Sequence, residues 1–282
     1  MRRVPESLKR LVKRFPAIAH RYRVWRDAAF ERTEPQPTPF GFRLSGQQDM
    51  MRGVFEPTET QIIRDLVKEV GVFIDVGANI GYYVCHALQA NPLCAVIALE
   101  PLPSNLRYLL RNVKANGWES RCEIAPVAAS SQPAIVSLFG AGTGASLTPG
   151  WNGAPDSSAI LVPANTLDNI VGERFREQGC LIMIDVEGHE ADVIEGASGL
   201  LARVPKPMWF VEIGLGEHLE KGLGNPSYKQ VFDRFFNAGY DAWACTSPLR
   251  RVTRDDIDAA LLGRSSLGTQ NFLFADASKN LS

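Results

Sequence analysis

From about residue 72 the chain alternates short apolar runs with amphipathic stretches. Val72–Val76, Ala95–Leu99, residues 122–128, Cys180–Ile184 and Met208–Ile213 are unbroken enough to read as strands buried on both faces. Between them, Ile80–Ala90, Ser104–Asn116, Glu190–Leu201 and Ser227–Asn237 carry apolar residues at helical spacing. Asn91-Pro92, Gly117 and Gly239 supply stops. Tyr240–Cys245 and Asn271–Ala275 complete seven strands. Strands alternating with helices predict an α/β fold, a doubly wound, mostly parallel, Rossmann-like sheet with an antiparallel strand near one edge.

Two regions depart from the alternation. Ala134–Phe139 and Ala159–Val162 read as strands flanking a Gly/Ser/Pro-rich loop, Gly140 to Ser158. A loop this long between packed elements is a common place for substrate contacts. Residues 1–50 read as a basic arm with a Pro/Gln-rich linker, and 51–282 as one catalytic-type domain entered by a helix over Thr58–Val70.

Charge sharpens that division. The first 26 residues hold nine Lys/Arg and one acid, and the rest of the chain holds 21 basic against 30 acidic residues. The total is -1, so the whole protein lacks the basic field that nucleic-acid binding requires. Leu8, Leu11, Val12 and Phe15 fall at helical spacing among Lys9, Arg10, Lys13 and Arg14. That pattern allows peripheral contact with an anionic membrane surface. Docking on the acidic body, or on a partner, is the alternative. Lys13, Arg14 and Pro16 interrupt any signal-like apolar core, and no apolar run is long enough to span a bilayer. Five widely spaced cysteines without a C-x-x-C suggest reduced thiols and a cytoplasmic setting, and the four histidines show no zinc spacing. With 45% hydrophobic residues over 282 positions, a core without disulfides is expected.

The clearest chemical signal is Asp75-Val-Gly77-Ala-Asn79-Ile-Gly81 directly after the first strand. Gly77 is expected to admit a ligand to the backbone, Gly81 to let the next helix pack closely, and Asn79 to bond the ligand or the loop. The spacing is G-x-x-x-G, and an acid precedes it where a dinucleotide pyrophosphate would be repelled. S-adenosylmethionine (SAM), with an ammonium and a sulfonium, tolerates that acid. Glu100 ends the second strand, beside Pro101, where a carboxylate binds ribose hydroxyls in either ligand class. An NAD-type oxidoreductase and a non-catalytic binding module stand as alternatives.

Asp75-Val-Gly-Ala-Asn-Ile-Gly-Tyr-Tyr83, Glu100-Pro-Leu-Pro-Ser-Asn105, Asn112-Val-Lys-Ala-Asn116, Thr166-Leu-Asp168 and Ile184-Asp-Val-Glu-Gly-His-Glu190 occur in that order, after Met51-Arg-Gly-Val-Phe-Glu56. Over roughly residues 50–275 this set resembles the FkbM-type family of SAM-dependent methyltransferases. The resemblance implies the class I methyltransferase fold, SAM as cofactor, and O-methylation of a sugar, glycan or natural-product hydroxyl. The family commonly has Lys before the Ile-Asp-Val-Glu-Gly run; Met183 stands there instead.

Ligands in open α/β sheets bind beyond the carboxyl ends of the strands. That puts Asp185, Glu187 and His189 at the reacting edge. His189 is the candidate general base, with a helix-capping role as its competitor. Asp185 would face the cofactor, and Glu187 would cap the next helix or fix the loop. Asp185, Glu187 and Glu212 could hold a divalent ion, but no spacing compels a dense carboxylate cluster, so no metal is assigned. Glu56 is either an N-terminal helix acid or a contact for the methionine end of SAM. Ala128 would meet adenine through its backbone. Trp151 is a candidate for stacking on a sugar, His218 an exposed loop residue, and Phe232, Phe235 and Phe236 core residues.

Overall fold

The computed structural model describes residues 34–151, 154–216 and 224–279. The basic arm and His218 lie outside the described residues. Strands are β1 Gln36–Pro37, β2 Arg43–Leu44, β3 Val72–Val76, β4 Ala95–Leu99, β5 Cys122–Ala125, β6 Ala128–Ala129, β7 Ala134–Leu138, β8 Ile160–Asn165, β9 Cys180–Ile184, β10 Met208–Glu212, β11 Tyr240–Ala244, β12 Arg250–Val252 and β13 Asn271–Asp276. Helices are α1 Gln48–Arg52, α2 Pro57–Leu66, α3 Tyr82–Ala90, α4 Pro103–Ala115, α5 Leu167–Val171, α6 Glu190–Glu195, α7 Ser198–Leu201, α8 Tyr228–Asn237 and α9 Arg254–Leu261.

The main sheet has eight strands in the order β12-β11-β13-β10-β9-β3-β4-β5. The expected count of seven is corrected by the short edge strand β12, three residues that no apolar run announces. From β10 to β5 the strands are parallel, and β13 inserts antiparallel between β10 and β11. The antiparallel strand is therefore internal. It can be, because Phe272, Leu273, Phe274 and Ala275 are apolar in succession and suit burial on both faces.

Alternate residues of the central strands feed two cores. Val72, Ile74 and Val76 face α5–α9, while Phe73 faces α2, α3 and α4. Phe232 and Phe235 of α8 are buried in the first core, with the Phe235 ring 3.9 Å from that of Phe274; Phe236 packs at its margin. The expected single helix over Glu190–Leu201 is two, α6 and α7, joined near Gly196. A Cβ at Gly196 would lie 2.1 Å from the Ser130 carbonyl, so only glycine admits that approach.

Residues 34–50, read from sequence as linker, pack onto the body. Phe42 and Leu44 are buried, and Phe40 and Phe42 flank the His86 ring at 4.4 and 4.9 Å. Asn112 clamps the segment. Its Oδ1 accepts from the Ser45 amide at 2.8 Å, and its Nδ2 donates to Ile80 O at 2.8 Å. Asp168 accepts from the Gly199 and Leu200 amides at 2.7 and 2.9 Å, which satisfies the start of α7. These two motif residues hold the fold rather than a ligand. Among the described residues no helix is long and apolar enough to cross a membrane.

Candidate active site

Strand order reverses at β3, with β4 and β5 on one side and β9 and β10 on the other. Such a switch point opens a crevice beyond the carboxyl ends of the strands. A pocket partly open to solvent lies there. Gly77 and Asn79 line it after β3, Glu100, Pro101 and Asn105 after β4, Ala128 from β6, and Asp185, Glu187 and His189 after β9. Ser146 and Leu147 of the long loop close its remaining side.

Glu100 is buried and fixed by backbone amides. Its Oε2 accepts from the Asn79 N–H and its Oε1 from the Leu102 N–H, both at 2.7 Å. Asn105 is hydrogen-bonded to Glu100 and donates to Gly142 O at 3.2 Å, linking the carboxylate to the long loop. Burial pushes the Glu100 carboxyl up to about 7 even against those bonds. The Asn79, Leu102 and Asn105 bonds take three of its lone-pair sites and leave one for a ligand hydroxyl. Asn79 adopts φ 53, and its buried Oδ1 has no hydrogen-bond partner among the described residues.

Of the expected cofactor residues, Asp75, Gly81 and Glu56 are not in the cavity lining. Asp75 lies beneath the cavity floor, buried between Ala98 of β4 and Met183 of β9 in register. Its Oδ2 has no partner among the described residues, and burial followed by the charge of Glu100 pushes it up to about 7. Gly77 does line the cavity, but its missing Cβ serves the fold: that atom would lie 1.9 Å from the Asp185 carbonyl. Gly81 packs α3 against α4, where a Cβ would meet Leu109 at 2.5 Å, rather than against the strand. Glu56 accepts from the Tyr83 hydroxyl at 2.5 Å behind the cavity wall.

At the β9 end the carboxylates crowd one another. Asp185 is pushed up by desolvation and then by Glu212, Glu187, Glu56 and Glu190. Glu212 is hydrogen-bonded to Asp185 and is pushed up as well, by desolvation and then by Glu187 and Glu56. Among the described residues no group of His, Cys, Asp or Glu has the geometry of a metal site.

Glu187 adopts φ 56 and does not cap α6. Its Oε2 accepts from Trp151 Nε1 at 2.8 Å, and its carbonyl accepts from Ser146 Oγ at 2.6 Å. Glu190 supplies the local turn instead, accepting from the Gly188 N–H at 2.7 Å. Trp151 is buried against Gly188, so its ring belongs to the loop's own packing and is not presented for sugar stacking. His189 makes no capping hydrogen bond. Its Nε2 lies 3.3 Å from Ser130 Oγ and its Nδ1 3.3 Å from Asp192 Oδ2. Burial lowers its pKa, while Asp192 works in the opposite direction. The ring is therefore neutral at pH 7 and able to accept a proton.

Sequence reasoning missed Asn105, Ser130, Ser146 and Asp192. Only Asp192 carried a legible signal, the helical i, i+3 spacing from His189.

Residues 75–242 match the profile of a family described as the methyltransferase FkbM domain. No curated protein sequence matches the chain significantly. Among solved structures, a cofactor-bound protein, Rv0187 from MTB, is 15% identical over 81% of this chain and 84% of its own, with a TM-score of 0.44. An O-methyltransferase from Bacillus cereus in complex with SAH is 11% identical, over 80% and 83%, at 0.41. Aeropyrum pernix fibrillarin with natively bound S-adenosyl-L-methionine is 13% identical, over 78% and 74%, at 0.39.

Proposed function

We propose that this chain, which belongs to the FkbM family of methyltransferases, is a SAM-dependent O-methyltransferase acting on a hydroxyl of a sugar, glycan or natural product. The observation that carries the reading is one continuous cavity. It joins Glu100 at the β4 end to Asp185 and a neutral His189 at the β9 end. Family membership leaves the oxidoreductase alternative without support.

The residues present fit the cofactor. Glu100 offers fixed carboxylate oxygens to a ribose diol, and Asn79 an unpartnered carbonyl oxygen on the same wall. The backbone at Ala128 bounds the place for a flat base. Asp185, backed by Glu212 and Glu56, provides negative charge suited to a cationic methionine end. When bound, SAM supplies a methyl group already activated on sulfonium.

The chain's own contribution is then placement, exclusion of water and removal of one proton. The loop from Gly142 to Trp151, tied to Asn105 and Glu187, covers the cavity. His189 Nε2 takes the proton of an acceptor hydroxyl held against it, and SAM, when bound, would supply the methyl group to that oxygen. The basic arm brings the domain to an anionic surface or to its own acidic body, in the cytoplasm.

Purified protein incubated with SAM and a panel of hydroxylated acceptors tests this. The expected result is S-adenosylhomocysteine with an acceptor heavier by one CH2, abolished in His189→Ala and indifferent to EDTA. Failure to bind SAM by calorimetry would overturn the assignment.

A further inference from the structure

We propose that Asp192 is a positioning residue for His189, holding the ring in the tautomer that leaves Nε2 as the proton acceptor. The inference rests on the reading of His189 as the base. Asp192 sits in the first turn of α6, one turn beyond His189, and its Oδ2 lies 3.3 Å from Nδ1. Its other oxygen accepts from Ser131 Oγ at 3.4 Å, so the carboxylate is held from two elements. A carboxylate only accepts, so Nδ1 carries the hydrogen. Nε2 is left as the acceptor, and Ser130 Oγ at 3.3 Å donates to it. An acceptor hydroxyl must replace Ser130 at that lone pair to pass its proton to the ring.

The frame around this line is rigid. The Ser130 N–H donates to Asn165 O at 2.9 Å, and the Ser130 carbonyl occupies the space a side chain at Gly196 would need. The Ser130 end of the line is thus tied to backbone, and the Asp192 carboxylate is held by the Ser131 hydroxyl. The other charged groups beside the ring are Glu187, engaged by Trp151, and Glu190, engaged by the Gly188 amide. From the end of β6 the neutral Ser130 hydroxyl faces the ring and the Ser131 hydroxyl faces Asp192. Asp192 is therefore the carboxylate placed to orient the ring and to stabilise the imidazolium formed when Nε2 gains its proton.

Asp192→Asn and Asp192→Ala test this, with Asp192→Glu as the conservative variant. Long-range 1H–15N spectra of the imidazole in the protein alone should show hydrogen on Nδ1 in the parent. The Ala variant should show mixed tautomers and a lower ring pKa. In turnover, kcat should fall about tenfold or more at saturating SAM. The acid limb of the pH profile should move to lower pH, SAM affinity should be unchanged, and Glu should restore part of the rate. An unchanged tautomer and acid limb in folded Asp192→Ala would overturn the proposal. If His189→Ala keeps its turnover, the base reading fails and the proposal with it. If His189→Ala is inactive while Asp192→Asn is unaffected, only the proposal for Asp192 fails.

Discussion

Trp151 Nε1 donates to Glu187 Oε2 at 2.8 Å while its ring fills the space over Gly188, where a Cβ would lie 2.5 Å from the indole. A loop residue and a strand-end residue thus form one closure. Gly188 has φ 94, so a side chain there is strained as well as clashing. Gly188→Ala should expel the indole, loosen the loop over the cavity and weaken SAM binding by about tenfold, the loss of one well-made hydrogen bond and its packing. Trp emission should shift to the red. An unchanged spectrum and affinity would show that the closure has no bearing on the cofactor.

Glu100 holds the second prediction. Its two oxygens already accept two amides, so the side chain is fixed before any ligand arrives. Removing it deletes a charge-assisted contact worth roughly 2–3 kcal/mol. Glu100→Ala should therefore lose tens- to hundreds-fold in SAM affinity by calorimetry. Thermal unfolding without SAM separates this from loosening of the Asn79 and Leu102 turns. A folded variant with native affinity refutes the ribose assignment.

Much of this was legible in the sequence because burial on both faces leaves a simple mark. Val72–Val76, Ala95–Leu99 and Cys180–Ile184 are apolar at every position except Asp75, and they are the centre of the sheet. The acid after each strand likewise located Glu100 and Asp185. Three things were not legible. Gly77 and Gly81 look like ligand-binding glycines, yet the atoms that forbid a side chain are Asp185 O and Leu109 Cδ1, contacts made across the fold. Phe42 and Leu44 pack through a two-residue hairpin too short to show a period. Ser130 and Ser146 act through single hydroxyls, which no spacing reveals.

Asp75 makes the pH dependence of stability testable. Its carboxyl is pushed up to about 7 from an ordinary 3.8 by burial and then by Glu100, so the folded chain keeps a proton that the unfolded chain releases. The sign follows: this contribution is fully present below about pH 4 and is lost as pH rises toward 7. Asp75→Asn cannot ionise. Between pH 5 and 8 it should gain about 3 kcal/mol relative to the parent, because one pKa unit corresponds to about 1.4 kcal/mol and about two units of the window lie below 7. Chemical denaturation at both pH values reads the difference. A constant gap between the two proteins would mean that Asp75 is charged in the fold.

The carboxylates at the β9 end predict that SAM binding is coupled to proton release. Asp185 and Glu212 share a hydrogen bond; Asp185 is pushed up by desolvation and then by Glu212, and Glu212 by desolvation and then by Glu187 and Glu56. A cation set beside them favours their charged forms and lowers those values. Near neutral pH the protein must then give up protons as the ligand enters. The binding enthalpy should accordingly be more negative in Tris, whose protonation is strongly exothermic, than in phosphate. S-adenosylhomocysteine has no sulfonium charge and should release fewer protons. Glu212→Gln removes one carboxyl of the pair and should reduce the release while sparing the Glu100 contact. Equal enthalpies in both buffers at pH 7 would mean that this carboxylate edge does not sense the ligand's charge, and the cationic methionine end would have to lie elsewhere along the cavity.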